Sequence, residues 1–136
     1  MKWFSDYVGI PFRTLGRTKE GCDCYGLVRI AMAEHYNVLL PELLEYSDSL
    51  EYEETNKVIL DNIPLLSGEE LSYPKEGSVV VLSNRGLESH IGLMVTDKLM
   101  LHTTSANGAV IEPVTSIRIK NRIRGYYNVN KSYSTK

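Results

Sequence analysis

The sequence predicts an α+β fold in which amino-terminal helices pack on one face of a carboxy-terminal antiparallel sheet of about five strands. Three observations carry this. Apolar residues in the first third recur at helical spacing. From Pro74 onward, β-branched runs alternate with turn-prone residues. A chain of 136 residues suffices for one core without staples, so residues 1–136 are read as a single domain.

Trp3, Phe4, Tyr7 and Val8 lie at helical intervals before Gly9-Ile10-Pro11 ends the pattern, which predicts a short helix. A loop, RTLGRTKEG, follows. From Asp23 to about Tyr36, the residues Leu27, Ile30, Ala31 and Ala33 stand among polar positions, as on a helix with one apolar face and Asp23 at its start. Cys24 then falls in the first turn. Pro41 breaks this run, and the acidic segment beyond it, up to Asn62, is expected to be helical though weakly patterned. The runs SVVVLS, HIGLMV, LMLHTT, GAVIEPV and SIRIKNRIRGYYNV read as strands. In the last of these, Ile117, Ile119 and Ile123 alternate with Arg118, Lys120, Arg122 and Arg124, the pattern of a strand with one buried and one cationic face.

The composition, 43% hydrophobic and 24% charged with a net charge of -2, excludes disorder and a generally nucleic-acid-seeking surface. Charge is unevenly placed: six acids and no base from Glu42 to Glu54, six bases and no acid after Glu112. The basic ridge has no interleaved aromatics, so no nucleic-acid partner is expected. No apolar stretch approaches the roughly 18 to 20 residues of a bilayer span, and no membrane partner is expected. The opening MKWFSDYVGIPF lacks the apolar run of a signal peptide, which places the chain in a reducing cytoplasm after synthesis. Cys22 and Cys24, one residue apart, are also poorly spaced for a mutual disulfide.

A cysteine becomes a nucleophile when its thiolate is stabilised, and a helix amino terminus does this through unpaired N–H groups and the macrodipole. Cys24 has that position and Cys22 does not. The nucleophile needs a base, and the base needs an orienting group. Of three histidines, His35 lies some three turns from the thiol and reads as a surface residue. His90 and His102 fall on neighbouring strands, SHIGLMV and KLMLHTT. An odd-numbered loop centred on Thr96 sets them directly opposite one another on one face, whereas a two-residue loop sends them to opposite faces. Gly26, in the first helical turn, implies close approach of a side chain or substrate. Spacing alone leaves three readings open: a Cys-His-His nucleophilic site, buried thiols with satisfied strand histidines, and a metal site built on C-x-C without the usual C-x-x-C spacing.

The stretch GIPFRTLGRTKEGCDCYGLVR resembles the GtPYr.GG....GfDCsGLVr signature of the NlpC-type cysteine peptidases, bacterial cell-wall enzymes with a papain-like fold. Further on, PKEGSVVVL resembles p.pGDvvvf, SHIGLMV resembles HvGiyl and KLMLHTT resembles g.miHa, in the same order, from about Tyr7 to Tyr127. The resemblance implies Cys24 as nucleophile, His90 as base and His102 as the residue orienting it, with no cofactor and no metal. It implies peptidoglycan stem peptides as substrate, cut between D-glutamate and a diamino acid. Asp23 matches the residue that helps receive the stem peptide's free amine, although helix capping is an equally physical role. Cys22 stands where the family has an aromatic or apolar residue, which implies packing.

Two positions depart from the pattern. Phe12 replaces a Tyr whose hydroxyl faces the reacting centre, and Tyr25 replaces a small Ser, so both bear on substrate binding. A bulky aromatic after the cysteine, together with GIPF, looks more like bacteriophage tail-assembly and tail-tip members, which implies phage tail proteins as partners and the virion tail as location. Arg17, with Arg13 and Lys19, either binds substrate carboxylates or forms a solvated basic loop. The alternatives are a catalytically weak or inactive structural tail protein of the same fold, and a thiol acyltransferase.

Overall fold

Trp3–Tyr7 form a short 3-10 turn that buries Phe4 and Tyr7. The structure is a computed structural model and describes residues 2–41, 67–84, 87–129 and 133. After the turn, the chain is tied to the distant sheet: the Gly9 N–H donates to Ala109 O and the Ala109 N–H to Ile10 O, both at 2.9 Å. Gly108, at φ +70°, permits this approach, since a Cβ there would lie 2.7 Å from Ile10 O.

The loop RTLGRTKEG carries a small antiparallel ribbon, β1 (Arg17–Thr18) and β2 (Gly21–Cys22). Helix α1 (Cys24–Tyr36) follows directly. Asp23 caps it with a side-chain oxygen that accepts from the Gly26 N–H. The helix stops at Asn37, which takes a left-handed conformation (φ 58°) and returns its N–H to Met32 O, a role Asn tolerates well. Leu27, Val28, Ala31 and Met32 form its buried face. The helix expected between Pro41 and Asn62 lies outside the described residues.

Six antiparallel strands make the main sheet: β3 (Ser67–Leu71), β4 (Val79–Asn84), β5 (Leu87–Met94), β6 (Leu99–Thr104), β7 (Gly108–Pro113) and β8 (Ile123–Val129), in the order β3-β8-β4-β5-β6-β7. The strand beyond the expected five is β3. Its sequence, SGEEL, has no β-branched residue, and it holds an edge position against Tyr126 and Tyr127 of β8. Helix α1 covers the face that carries Val81, Ile91, Leu93 and Leu101. The opposite face carries Val80, Leu82, Met94 and Met100, packed with Val114 and Ile119.

That second cluster corrects the reading of SIRIKNRIRGYYNV as one strand. Ile117–Lys120 is a single helical turn, α2, and the strand starts only at Ile123. The Ile119 and Lys120 N–H groups both return to Ser116 O, closing the turn just after Pro113 ends β7. Ile119 is fully buried and Ile117 is 84% exposed, so the two do not share a face as a period of two requires.

Candidate active site

The position of Cys24 is fixed by the loop that precedes it. Cys22 N–H donates to Pro11 O and Arg13 N–H to Cys22 O, which laces residues 11–13 to the strand entering α1. Asp23 gathers this loop: one oxygen accepts from Gly26 N–H and from Arg17 Nη1, both at 2.9 Å, and the other accepts from Leu15 N–H at 3.0 Å. A Cβ on Gly26 would sit 2.0 Å from Gly16 O. The close approach expected at Gly26 is therefore made by the loop's own backbone, not by a side chain or substrate.

The histidines come together, but not by the expected register. Strands β5 and β6 pair at Leu93↔Leu101 and Met94↔Met100, and Val95 N–H donates to Leu99 O, so the hairpin centres on Asp97. His90 is consequently not opposite His102 but two positions along, on the diagonal. The parity is unchanged, both rings share one face, and His90 Nε2 lies 2.9 Å from His102 Nδ1 with the rings at 73°. The ladder between β5 and β6 stops at Leu93↔Leu101. Beyond it, the Ile91 N–H is directed at the Cys24 sulfur, as is the N–H of Tyr25. The thiol thus meets the strand one residue from His90.

Electrostatics in the site run against a resting thiolate. Burial pushes the Cys24 thiol up to about 12, and the Asp23 charge adds to this; the Ile91 and Tyr25 N–H groups and Arg17 oppose it and lose. The stabilisation expected from the helix end is present in the Tyr25 N–H, but desolvation outweighs it. Burial likewise pulls His90 down to about 3, helped by the neighbouring His102 and Arg122. His102 is also lowered by burial, with Glu112 acting in the opposite sense. Both shifts favour the neutral form, thiol on Cys24 and imidazole on His90.

The remaining sequence candidates have structural partners. Arg17 turns inward, its side chain 7% exposed, and pairs with Asp23 instead of lining a solvated basic loop. Tyr25 is buried and its hydroxyl donates to Pro41 O at 2.6 Å, with Arg17 packed over its ring. Phe12 is half-buried and bridges the Cys22 backbone. Cys22 is wholly buried, and burial pushes its thiol up to about 11. His35 lies at the surface, stacked on Trp3 with ring centroids 3.7 Å apart.

Sequence reasoning passed over Glu112. Its Oε1 lies 2.8 Å from His102 Nε2, and its Oε2 is 3.9 Å from Arg118 Nε. It is the one acid in GAVIEPV, and with His102 opposite Val110 it falls on the same face of the β6–β7 pair. A lone carboxylate two residues beyond the partner of a strand histidine was the available signal.

A cysteine at a helix start, meeting β5 next to a histidine pair that shares the strand parity of Met94 and Met100, defines a papain-like α+β site. The NlpC/P60 family pattern matches residues 9–128, and the chain belongs to that family. It is 23% identical over 122 residues to the murein DD-endopeptidase MepS/murein LD-carboxypeptidase of Escherichia coli K12, a match covering 90% of this chain and 57% of the relative. It is 28% identical over 102 residues to the probable endopeptidase NlpC of the same strain, covering 75% and 58%. The chain thus spans less than three fifths of these relatives. An NlpC/P60 family protein from Bacillus cereus shares the fold, with a TM-score of 0.64 at 15% identity over 91% of this chain and 37% of the other. Among the described residues, no helix is long and apolar enough to cross a membrane.

Proposed function

We propose that the chain is a cysteine endopeptidase acting on peptidoglycan stem peptides, with Cys24 as nucleophile, His90 as base and His102 as the residue that orients it. One observation carries this: the Cys24 sulfur takes a hydrogen bond from Ile91, next to a His90 ring already held at 2.9 Å by His102. His90 Nε2 is engaged, so Nδ1 is the nitrogen left to face the thiol.

As the sulfur attacks the amide carbon, the S–H bond breaks and the proton passes to His90 Nδ1. The carbonyl oxygen becomes an oxyanion, received by N–H groups at the start of α1, that of Cys24 among them. The His90 imidazolium then gives its proton to the leaving amine, and the C–N bond breaks. A water deprotonated by His90 attacks the thioester and releases the acid and the thiol. The finer assignment, a cut between D-glutamate and a diamino acid, draws on the family resemblance and on wall-directed relatives.

Mass spectrometry of purified wall fragments incubated with wild type and Cys24→Ala tests the reading. New amines and matching acids from wild type alone are expected, with the D-glutamate carboxyl newly freed. No product from either protein removes the enzyme and leaves a structural role; an acyl product on an added amine assigns a transferase instead. Placement on a bacteriophage tail draws only on Tyr25 and GIPF. Proteomics of purified tails tests it, and absence of the chain from them ends that assignment.

A further inference from the structure

We propose that Glu112 is a positioning residue that sets the direction of proton transfer through His102 and His90, keeping His90 Nδ1 free of its own proton and able to accept that of Cys24. The inference deepens the assignment of Cys24 and His90 above and rests on it. An ionised carboxylate only accepts hydrogen bonds, so His102 Nε2, at 2.8 Å from Glu112 Oε1, carries the proton. Neutral His102 then offers a lone pair at Nδ1, and His90 Nε2, at 2.9 Å, is the donor to it. With its proton on Nε2, neutral His90 has its lone pair on Nδ1. Without Glu112 the Nδ1–H tautomer of His102 becomes accessible; it forces His90 to accept at Nε2, to carry its proton on Nδ1, and to be useless as a base toward the thiol.

The surroundings hold this arrangement. His102 is 1% exposed, and Arg118 lies 3.9 Å from the far oxygen of Glu112. Charge acts in the same sense as tautomer. When the thiol proton reaches Nδ1, His90 becomes an imidazolium whose Nε2–H still donates to His102, and Glu112 is the anion bonded to the far side of that ring. The charged groups facing the two rings are Glu112 from β7, Arg118 from α2 and Arg122 just before β8, while Cys24 and Asp23 stand at the start of α1. Both arginines disfavour a positive ring, and Glu112 opposes them.

Nitrogen-15 NMR of histidine-labelled wild type reads the tautomers without any substitution. Protonated Nε2 and bare Nδ1 are expected on both His102 and His90 at neutral pH; a proton on Nδ1 of either ring overturns the proposal. The second measurement is the pH profile of Cys24 alkylation by iodoacetamide, with the modified thiol located by peptide mass spectrometry. Glu112→Gln, of the same size but able to turn either amide atom to the ring, is expected to slow alkylation at neutral pH about tenfold or more and to move the rise in rate to higher pH. Glu112→Asp is expected to recover part of the loss. Superimposable profiles for wild type and Glu112→Gln overturn the proposal, and should that variant fail to fold, the wild-type spectrum alone decides. Neither readout requires turnover, so a protein that cuts no wall peptide yet shows both signatures loses the endopeptidase assignment and keeps this one.

Discussion

At Asp23 two oxygens serve three donors: the Gly26 and Leu15 N–H groups and the Arg17 guanidinium. Capping alone is worth about 1 kcal/mol, but removal of the carboxylate also takes the anionic partner from Arg17, whose side chain is 7% exposed, and breaking such a pair from one side costs about 3–5 kcal/mol. Asp23→Ala is therefore expected to lose more than a cap is worth, and Asp23→Asn, which still caps, to isolate the charge contribution. Urea unfolding measures both. In a double-mutant cycle with Arg17→Met, the pair removed together should cost clearly less than the sum of the two single changes; simple additivity would mean the ion pair contributes nothing. The same three donors bear on function. A carboxylate so engaged has little capacity left for a further cation, so a substrate amine, were one to bind at Asp23 as the family resemblance implies, would have to displace or share with Arg17.

At the scale of elements, α2 is the sharpest test of what alternation in a sequence can mean. If residues 117–120 were a strand, Ile117 and Ile119 would be buried alike; as a helical turn they are 84% and 0% exposed. Ile119→Ala is expected to cost about 2–5 kcal/mol and Ile117→Ala no more than about 0.5, by shift of the denaturant midpoint at constant slope. Equal costs would restore the strand. At the start of α1, Gly26→Ala should gain helix propensity, yet its Cβ meets backbone at Gly16, which cannot rotate away. A net loss of about 1–3 kcal/mol is expected in the same assay. These elements also mark the limit of legibility. Helix α1, its Asp23 cap and the four apolar strands β4 to β7 were readable because period and turn residues agree. Strand β3 was not, because pairing with β8 overrides the weak propensity of SGEEL. The histidine pair was legible in face but not in register, since parity follows from an odd loop while the centre depends on whether Val95 N–H reaches Leu99 O. Glu112 escaped because its partner is chosen by the next hairpin, a contact no local pattern announces.

For the whole molecule, the opposite shifts of His90 and of the two thiols make folding itself sensitive to pH in two opposite directions. His90 drops from its ordinary 6.5 to about 3 on folding. Between those values the unfolded chain binds a proton that the native state does not, so stability rises with pH across the window and is lost as pH falls from about 6.5 toward 3. Cys24 moves from 9.0 to about 12 and Cys22 from 9.0 to about 11, both by burial. There the unfolded chain gives up protons that the native state keeps, so stability falls as pH climbs from about 9 upward. A resting thiolate–imidazolium pair would reverse both signs near neutrality, because it raises the histidine and lowers the cysteine. Urea midpoints recorded across pH for wild type, His90→Gln and Cys24→Ala separate the two cases. The neutral site is expected to give His90→Gln a flatter acid limb and Cys24→Ala a flatter alkaline limb than wild type. Should the histidine variant instead flatten a loss of stability on raising pH through neutrality, the ion pair exists before substrate arrives. In the proposed mechanism a neutral pair would place the transfer of the thiol proton to His90 within the barrier to acylation, whereas a resting ion pair would have made that transfer beforehand.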